Sequence, residues 1–486
     1  MPTGSVLLIA PPKLPGLKAS RGSLPMSLLH LAAALKQGGN PPKQYPPMLP
    51  AVLDLSVDPA PEGVEASAHY SARISKAIAD SQPILVGLNC FSSMHFPLVR
   101  QLAKSIRAGH PNLPVCLGGA HPTFFPREIL QNCPEFDFVV IGEGEEQIVA
   151  LADTIATGNF TSLKGIGALG FRDGETIVIN PRSSYLGDLD RLPSPAYDLI
   201  HFPAYYTDHS NWHNPKQQDI KLSVPIYTTR SCPFSCNFCT AHSIMGRKLR
   251  RRDPAKVVDD IEMLVHDFGQ NYFSFTDDNV NLDKQHFMAI CKGIAQRKLD
   301  IQLCIPQGLY LNAVDEKLIG AFVEAGGVTV SVPIESGNSY IRNQIIGKNL
   351  TDETIYGVVN LLKKYNLFTV GLFIMGFAED TPETLHDTLA MINRLGLDIN
   401  GVSTLIPFPG TKVYEQASRE KLLLVEIDDT KAWSGDTLLD PQNRQDFFVK
   451  PFRLEIDELR HFRKVFDDLY FTSERAQRMN LSACPN

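Results

Sequence analysis

Three cysteines in one short stretch constrain this chain more than any other feature. Cys232, Cys236 and Cys239 stand in C-x3-C-x2-C spacing directly after Val224 to Thr228, an apolar run that is typical of a strand. Three thiolates on a single loop can converge on one centre. The spacing therefore predicts a bound metal cluster.

Zinc and iron both suit such a set of ligands. His242 follows the last cysteine and could complete a Cys3His zinc site. Zinc knuckles usually form small separate modules, whereas this triad lies inside a large α/β pattern, which favours iron and sulfur. Three protein ligands on a cubane cluster leave one iron open to a substrate.

The triad resembles the signature of the radical S-adenosylmethionine (SAM) enzymes. In that family the open iron binds the amino and carboxylate groups of SAM and reduces its sulfonium to a 5'-deoxyadenosyl radical. The resemblance implies a [4Fe-4S] cluster on Cys232, Cys236 and Cys239, and it places Phe238 near the adenine of SAM.

Six strand-helix units follow from residue 221 to residue 412 and predict a partial (β/α)6 TIM-type barrel, with a C-terminal helical substrate or capping region over 413–486. Active sites of such barrels gather at the carboxyl ends of the strands. An acidic pair there can bind an ammonium group, although Asp-Asp-Asn is also ordinary turn chemistry, and a glutamate can accept hydrogen bonds from both ribose hydroxyls. The resemblance implies that SAM is bound by Asp277, Asp278, Asn279, Glu335, Ser336, Gly376, Ile406 and Pro407.

Residues 1–157 alternate continuous apolar runs with amphipathic ones in five βα units. This pattern predicts a doubly wound, five-stranded parallel sheet of the flavodoxin or Rossmann type, without a G-x-G-x-x-G fingerprint. Its strand-end loops resemble the cobalamin-binding domain of the class B radical SAM methylases. The resemblance assigns cobalamin binding to Ser92, Ser93, Gly118, Gly119, His121, Glu143, Gly144 and Glu145.

The lower face of the cobalt is expected to lack a protein histidine, because no D-x-H-x-x-G follows the first strand. His95 and His121 are isolated loop histidines, for which hydrogen bonding is the ordinary alternative to metal ligation. A linker with a hairpin at Asp173 and Gly174 is predicted over residues 158–220.

Charge and hydropathy limit the partners. The net charge of -7 gives no general attraction to nucleic acid, and no apolar run is long enough for a signal peptide or a membrane span, so a cytoplasmic protein is expected. The basic run from Arg247 to Arg252 predicts either a solvated loop or a contact to a phosphate-bearing substrate or electron donor.

The resemblance implies a cobalamin-dependent radical SAM methyltransferase. It would use a 5'-deoxyadenosyl radical and methylcobalamin to methylate an unactivated carbon, or a phosphinate phosphorus, of a small molecule, with a flavodoxin- or ferredoxin-type electron donor. An oxidase or cyclase without methyl transfer uses the same cofactors, and a zinc-stabilised ligand sensor is a third hypothesis. The sequence identifies no catalytic acid or base.

Overall fold

The computed structural model describes residues 4–14, 23–39, 45–182, 185–207, 213–424 and 447–478. Within these ranges the chain forms two compact units, the first ending at Tyr205 and the second beginning at Tyr206. No helix in the described ranges is long and apolar enough to cross a membrane.

The first unit is built on a seven-stranded sheet in the order β2-β1-β3-β4-β5-β6-β7. The first five strands are parallel, as predicted. Alternate residues of β1, which pairs with a strand on each side, enter different apolar clusters, Leu7 and Ile9 on one face and Val6 and Leu8 on the other. Both faces are therefore buried, which explains why these strands are continuously apolar. The strands are β1 Ser5–Ala10, β2 Leu49–Asp54, β3 Leu85–Asn89, β4 Val115–Gly118, β5 Phe138–Val140, β6 Leu169–Asp173 and β7 Thr176–Ile179.

Helices follow the parallel strands and cover both faces of the sheet. They are α1 Met26–Gln37, α2 Ala66–Ser81, α3 Phe96–Gly109, α4 Ala120–Phe124, α5 Pro126–Asn132 and α6 Glu145–Thr157.

The hairpin at Asp173 and Gly174 is present, but it is not a separate linker element. Its first strand pairs antiparallel with β5, from Phe138 opposite Phe171 to Val140 opposite Leu169. The sheet is consequently two strands wider than the sequence predicts, and the first unit extends past residue 157 to Tyr205.

The second unit contains six parallel strands in the order β15-β14-β13-β12-β11-β8. Each neighbour is the next strand of this sheet along the chain, and the two end strands do not pair, so the prediction of a partial (β/α)6 barrel is confirmed. These strands are β8 Val224–Ile226, β11 Tyr272–Phe275, β12 Gln302–Ile305, β13 Gly327–Glu335, β14 Phe368–Met375 and β15 Ile399–Thr404.

A short antiparallel pair, β9 Thr229–Arg230 and β10 Arg250–Arg251, brackets the cysteine loop. The helices of the unit are α7 Ala241–Met245, α8 Pro254–Phe268, α9 Lys284–Arg297, α10 Glu316–Glu324, α11 Asp352–Lys364, α12 Pro382–Leu395, α13 Lys412–Arg419, α14 Ile456–Asp468 and α15 Glu474–Arg478.

The C-terminal segment is fastened to the last strands of the barrel through a buried carboxylate. Asp398 accepts hydrogen bonds from Arg475 Nε and Nη2 at 2.5 Å and from Ser473 Oγ at 2.6 Å. It also accepts the backbone N–H of Thr369 at 2.8 Å. Burial alone would raise the pKa of Asp398, but the hydrogen bonds from Arg475 and Ser473 outweigh it and lower the pKa.

We expect Asp398→Asn to destabilise the second unit by about 2–3 kcal/mol, because it removes one partner of a buried, hydrogen-bonded ion pair. Urea unfolding of the full chain measures this loss. Since the folded pKa lies below the ordinary value, the contribution is complete above a pH of about 4 and disappears as the pH falls through the folded pKa. Asp259→Asn, which breaks an exposed pair with Arg297, should cost less than about 1 kcal/mol at any pH.

Candidate functional site

The loop that carries the cysteines is fixed where it leaves β8 by one buried carboxylate. Asp277 Oδ1 accepts the backbone N–H and the hydroxyl of Thr228 at 2.9 and 3.0 Å, and it accepts the same two groups of Thr229. Burial raises the pKa of Asp277 to about 6. Its second oxygen is buried without a partner. Asp277 therefore anchors the loop and does not face open solvent.

The residue immediately before the first cysteine has an unusual backbone conformation. Ser231 has a φ of 89°, in the left-handed region that a residue with a side chain rarely occupies. Its hydroxyl accepts hydrogen bonds from the buried Arg250 guanidinium at 3.0 and 3.2 Å and donates to the Met245 carbonyl at 2.7 Å. This clamp holds the strained turn that directs Cys232 into the site.

The basic run from Arg247 to Arg252 is thus not a simple solvated loop. Arg250 is 5% exposed and clamps Ser231, while Arg247 donates to Ser235 Oγ at 2.5 Å. Arg252 forms an ion pair of 2.7 Å with Asp260. Arg247 and Arg250 thus brace the cysteine loop from outside, which is a use that the sequence did not indicate.

The three thiols lie close enough to influence one another. Cys232 is buried, and Cys236 and Cys239 are half-buried. The pKa of Cys239 is raised to about 11, chiefly by burial and with smaller contributions from the neighbouring Cys236 and Cys232. Hydrogen-bond donors point at the sulfurs: Asn279 Nδ2 lies 3.1 Å from Cys232 Sγ, and the Ala241 backbone N–H lies 3.5 Å from Cys239 Sγ.

This donor set fits an iron–sulfur cluster. The ligands are soft thiols, and N–H groups directed at ligating sulfurs are a common feature around such clusters. In the described part of the chain no three His, Cys, Asp or Glu side chains converge closely enough to hold a single metal ion. The structure therefore shows no closed Cys3His set around His242.

Glu335 lies at the end of β13, beside the cysteine loop. A β-bulge interrupts the pairing with β14 between Pro333 and Glu335, and Glu335 has a φ of 68°. The bulge and the left-handed backbone turn its buried carboxylate towards Lys348 Nζ, 2.9 Å away. Burial raises the pKa of the Cys236 thiol, Lys348 lowers it and Glu335 raises it, so this ion pair lies against the cysteine loop.

Lys348 is a site residue that the sequence did not reveal. Burial lowers its pKa, but the attraction of Glu335 outweighs that effect and the net shift is upward, so the amine is a cation. A single lysine in the loop Gly347-Lys348-Asn349 belongs to no spacing pattern. Only its contact with Glu335 in the structure identifies Lys348 as a site residue.

Asp278 and Tyr227 differ from Asp277 because they reach water. Asp278 is exposed and Tyr227 is 37% exposed, yet desolvation by surrounding protein raises the pKa of both groups. Asp278 is also near enough to Cys232 and Cys239 to raise the pKa of their thiols.

Phe238 is held by an apolar cluster that joins four loops at the carboxyl ends of the barrel strands. The cluster includes Ile346 after β13, Phe377 after β14 and Leu405 after β15, with Cys236 and Phe238 packed against it. The backbone carbonyl of Asn237 accepts the N–H of Val413 at 3.2 Å. The structure thus brings the cysteine loop to the last two strands.

The remaining predicted SAM residues lie in these loops. The N–H groups of Gly376 and Phe377 donate to the buried Asp380 at 2.8 and 2.9 Å, which fixes the turn after β14. Ile406 is half-buried and Pro407 is buried beside Leu405. Ser336 is buried, and its hydroxyl accepts the N–H of Asn338 at 3.2 Å, so it shapes the turn after Glu335.

In the first unit, hydrogen bonds join the predicted cobalamin loops to one another. His121 Nδ1 lies 2.9 Å from Ser93 Oγ, which links the loop after β4 to the loop after β3. Thr123 Oγ1 accepts the N–H of Gly142 at 2.8 Å, which links the loop after β4 to the loop after β5. A Cβ on Gly119, whose φ is 119°, would lie 2.3 Å from the Cys90 carbonyl oxygen, so only glycine permits this approach.

Both loop histidines are engaged with serines. Ser92 Oγ lies 2.8 Å from His95 Nδ1, and burial lowers the pKa of His95 to about 4. His121 is 1% exposed and packs between Phe96 and Phe125, with ring centroids 4.4 and 5.2 Å away. These contacts give both rings a hydrogen-bonding and packing role.

The acidic loop after β5 completes this edge of the sheet. Gly118 ends β4, Gly144 precedes the first turn of α6, and Glu145 is buried at the start of that helix. Glu143 is half-buried. The predicted residues therefore occupy the carboxyl ends of three neighbouring strands.

Family models match both units of the chain. The radical SAM superfamily matches residues 226–392, and the B12 binding domain matches residues 23–152. A protein of Pyrococcus horikoshii named as an uncharacterized methyltransferase is 31% identical over 370 residues, which cover 76% of this chain and 75% of the relative. The anaerobic magnesium-protoporphyrin IX monomethyl ester cyclase of Rubrivivax gelatinosus is 27% identical, over 85% of this chain and 72% of that enzyme.

Solved structures have the same fold. The radical SAM methyltransferase TsrM of Kitasatospora setae, with cobalamin and a [4Fe-4S] cluster bound, superposes with a TM-score of 0.68 at 20% identity, over 88% of this chain and 76% of TsrM. TsrM with tryptophan and a SAM analogue bound gives a TM-score of 0.71 at 19% identity, over 96% and 88% of the two chains. The protein thus belongs to the cobalamin-dependent radical SAM enzymes, whose cofactors are a [4Fe-4S] cluster, SAM and cobalamin and whose members include methyltransferases.

Proposed function

We propose that this enzyme methylates an unactivated carbon, or a phosphinate phosphorus, of a small molecule. The observation that carries the proposal is the presence in one chain of a cysteine loop at the carboxyl end of a partial barrel and a separate unit with the loops of a cobalamin domain. When bound, the cluster supplies an electron, SAM supplies a carbon radical and a methyl group, and cobalamin carries that methyl group. The relative from P. horikoshii, named as a methyltransferase, supports the same reaction class.

The second unit would bind the cluster and SAM. Cys232, Cys236 and Cys239 provide three thiolates, and the open iron is left for SAM. Lys348 offers a cation beside Cys236, which suits the carboxylate of SAM, and Asp278 offers an exposed carboxylate, which suits its ammonium. These two charges flank the cysteine loop and would orient the cofactor.

Glu335 and Phe238 would bind the nucleoside part of SAM. One oxygen of Glu335 is bonded to Lys348, and a carboxylate has further lone pairs for the ribose hydroxyls. Phe238 and its apolar cluster, with Gly376, Ile406 and Pro407 nearby, would form a surface for the adenine ring. The first unit would bind cobalamin through the loops after β3, β4 and β5.

We expect Glu335→Gln to weaken SAM binding by about tenfold. The neutral amide can form neither the ion pair with Lys348 nor a charge-assisted hydrogen bond to the ribose. Anaerobic calorimetry of the cluster-loaded protein measures the affinity. Glu316→Gln, which breaks an exposed contact with Lys364, is the matched control and should bind SAM normally. Unchanged affinity in Glu335→Gln would return Glu335 to a structural role.

A cyclase without methyl transfer is the second candidate, because the R. gelatinosus enzyme aligns with 85% of this chain. The zinc-stabilised sensor receives no support, since the chain belongs to an enzyme family. One assay separates the two enzyme reactions. The protein is loaded with cluster and cobalamin and supplied with a flavodoxin-type reductant, methyl-labelled SAM and candidate small molecules. A product that gains one labelled methyl group supports methylation, and a product formed without that gain supports the cyclase.

A further inference from the structure

The side chain of Asn279 makes a contact that its predicted role in SAM binding does not require. It lies in the turn after β11, where the family resemblance places a residue that holds the amino group of SAM. In the structure its side-chain amide points at a cysteine sulfur instead: Asn279 Nδ2 donates to Cys232 Sγ at 3.1 Å. That distance is short for an N–H donor to sulfur.

The three cysteines differ in the hydrogen bonds that their sulfurs accept. Cys232 is the buried member of the triad, 8% exposed, and receives both the Asn279 amide and the backbone N–H of Phe234. Cys239 receives one backbone donor, from Ala241 at 3.5 Å. Asn279 thus donates to Cys232 from a side chain, whereas Phe234 and Ala241 donate to Cys232 and Cys239 from the backbone.

The position of Asn279 is also fixed independently of any ligand. Its backbone carbonyl accepts the N–H of Leu282 at 3.3 Å, and its neighbour Asp277 is tied by four donors to Thr228 and Thr229. The turn after β11 and the start of the cysteine loop are therefore one hydrogen-bonded structure, which holds the amide and the sulfur at a defined distance.

We propose that Asn279 is a positioning residue for the cluster, whose amide donates to the Cys232 thiolate and raises the reduction potential of the iron–sulfur centre. A donor directed at a ligating sulfur stabilises the more negative, reduced state of a cluster. Asparagine suits this role because it supplies an N–H without adding a charge. The inference rests on the proposed cluster at the three cysteines.

Two substitutions test the role. Asn279→Val removes the donor at nearly the same size, and Asn279→Asp replaces it with an anion. Redox titration of the cluster in the absence of SAM, followed by electron paramagnetic resonance, should place the midpoint of Asn279→Val below that of the wild type and the midpoint of Asn279→Asp lower still. At the wild-type midpoint the reduced-to-oxidised ratio of Asn279→Val should fall about fivefold.

Asn271→Val is the control, since Asn271 precedes β11 at its opposite end and donates to the Asp219 carbonyl. Its midpoint should match that of the wild type. An unmoved midpoint in Asn279→Val and Asn279→Asp would overturn the inference. Weakened SAM affinity with an unmoved midpoint would, in addition, assign Asn279 to SAM.

A measurement on protein that keeps Asn279 covers variants that lose the cluster. Protein labelled with ¹⁵N at asparagine side chains is reduced and studied by electron spin echo spectroscopy, with Asn237→Ala to remove the asparagine inside the cysteine loop. A ¹⁵N coupling to the cluster is expected, and its absence would refute the contact. If the wild type forms no cluster, the proposed function fails; if the cluster forms without these effects, only the role of Asn279 fails.

Discussion

Replacing Cys232, Cys236 and Cys239 together with alanine is expected to abolish iron binding and reductive cleavage of SAM. The three thiolates are the proposed protein ligands of the cluster, and the described part of the chain contains no group of three His, Cys, Asp or Glu side chains close enough together to hold a metal ion in their place. The loop should keep its course, because Asp277 and Arg250 fix it through the backbone of Thr228 and Thr229 and the hydroxyl of Ser231. The loss should thus be chemical and not a loss of folding.

Iron and sulfide analysis, visible absorbance and the release of 5'-deoxyadenosine measure the effect. We expect iron to fall to background and cleavage to fall by more than about 100-fold. Cys291→Ala is the control, because Cys291 is a buried thiol of the same unit on α9, and it should keep both properties. Full iron content in the triple variant would show that the cluster ligands lie elsewhere.

The sequence predicted features that depend on local pattern. The parallel strands of both units could be located because burial on two faces makes each strand continuously apolar, as in Val6 to Ile9. The cysteine spacing identified a cluster motif, and the end of β13 identified Glu335. All of these are properties of a single segment of chain.

Features that depend on contacts between distant segments could not be predicted. The antiparallel pairing of the hairpin with β5 follows from which edge of the sheet is free, and no local pattern encodes that choice. Lys348 joins the site only because a bulge and a left-handed backbone turn Glu335 towards it. Arg250 lies in a basic run whose composition is typical of a surface loop, yet its side chain is buried against Ser231.

Asp277, Asp278 and Asn279 illustrate this limit most directly. From the sequence, these three neighbouring residues are predicted to bind SAM together as one acidic turn, but in the structure each has a different environment. Asp277 anchors the backbone of the cysteine loop, Asp278 is exposed, and Asn279 donates to a cysteine sulfur. Successive residues at a strand end point in different directions, so position alone does not assign a role.

If the enzyme is a methyltransferase, it should consume two molecules of SAM for each product. Reductive cleavage destroys the molecule whose methyl group is needed, so one SAM cannot serve both purposes in a turnover. One molecule should lose its methyl group and leave as S-adenosylhomocysteine. The other should leave as 5'-deoxyadenosine after its radical has removed a substrate hydrogen. We therefore expect S-adenosylhomocysteine, 5'-deoxyadenosine and methylated product in equal amounts.

SAM with a trideuterated methyl group makes the test specific. All three deuterium atoms should appear in the product, because the methyl group is transferred intact and no route through a methylene radical is used. The variant without Cys232, Cys236 and Cys239 should form neither 5'-deoxyadenosine nor product. Formation of 5'-deoxyadenosine with the true substrate, but without S-adenosylhomocysteine or a mass gain of one methyl group, would refute methylation. The enzyme would then be an oxidase or cyclase that uses the same cysteine loop and the same SAM residues to start a different radical reaction.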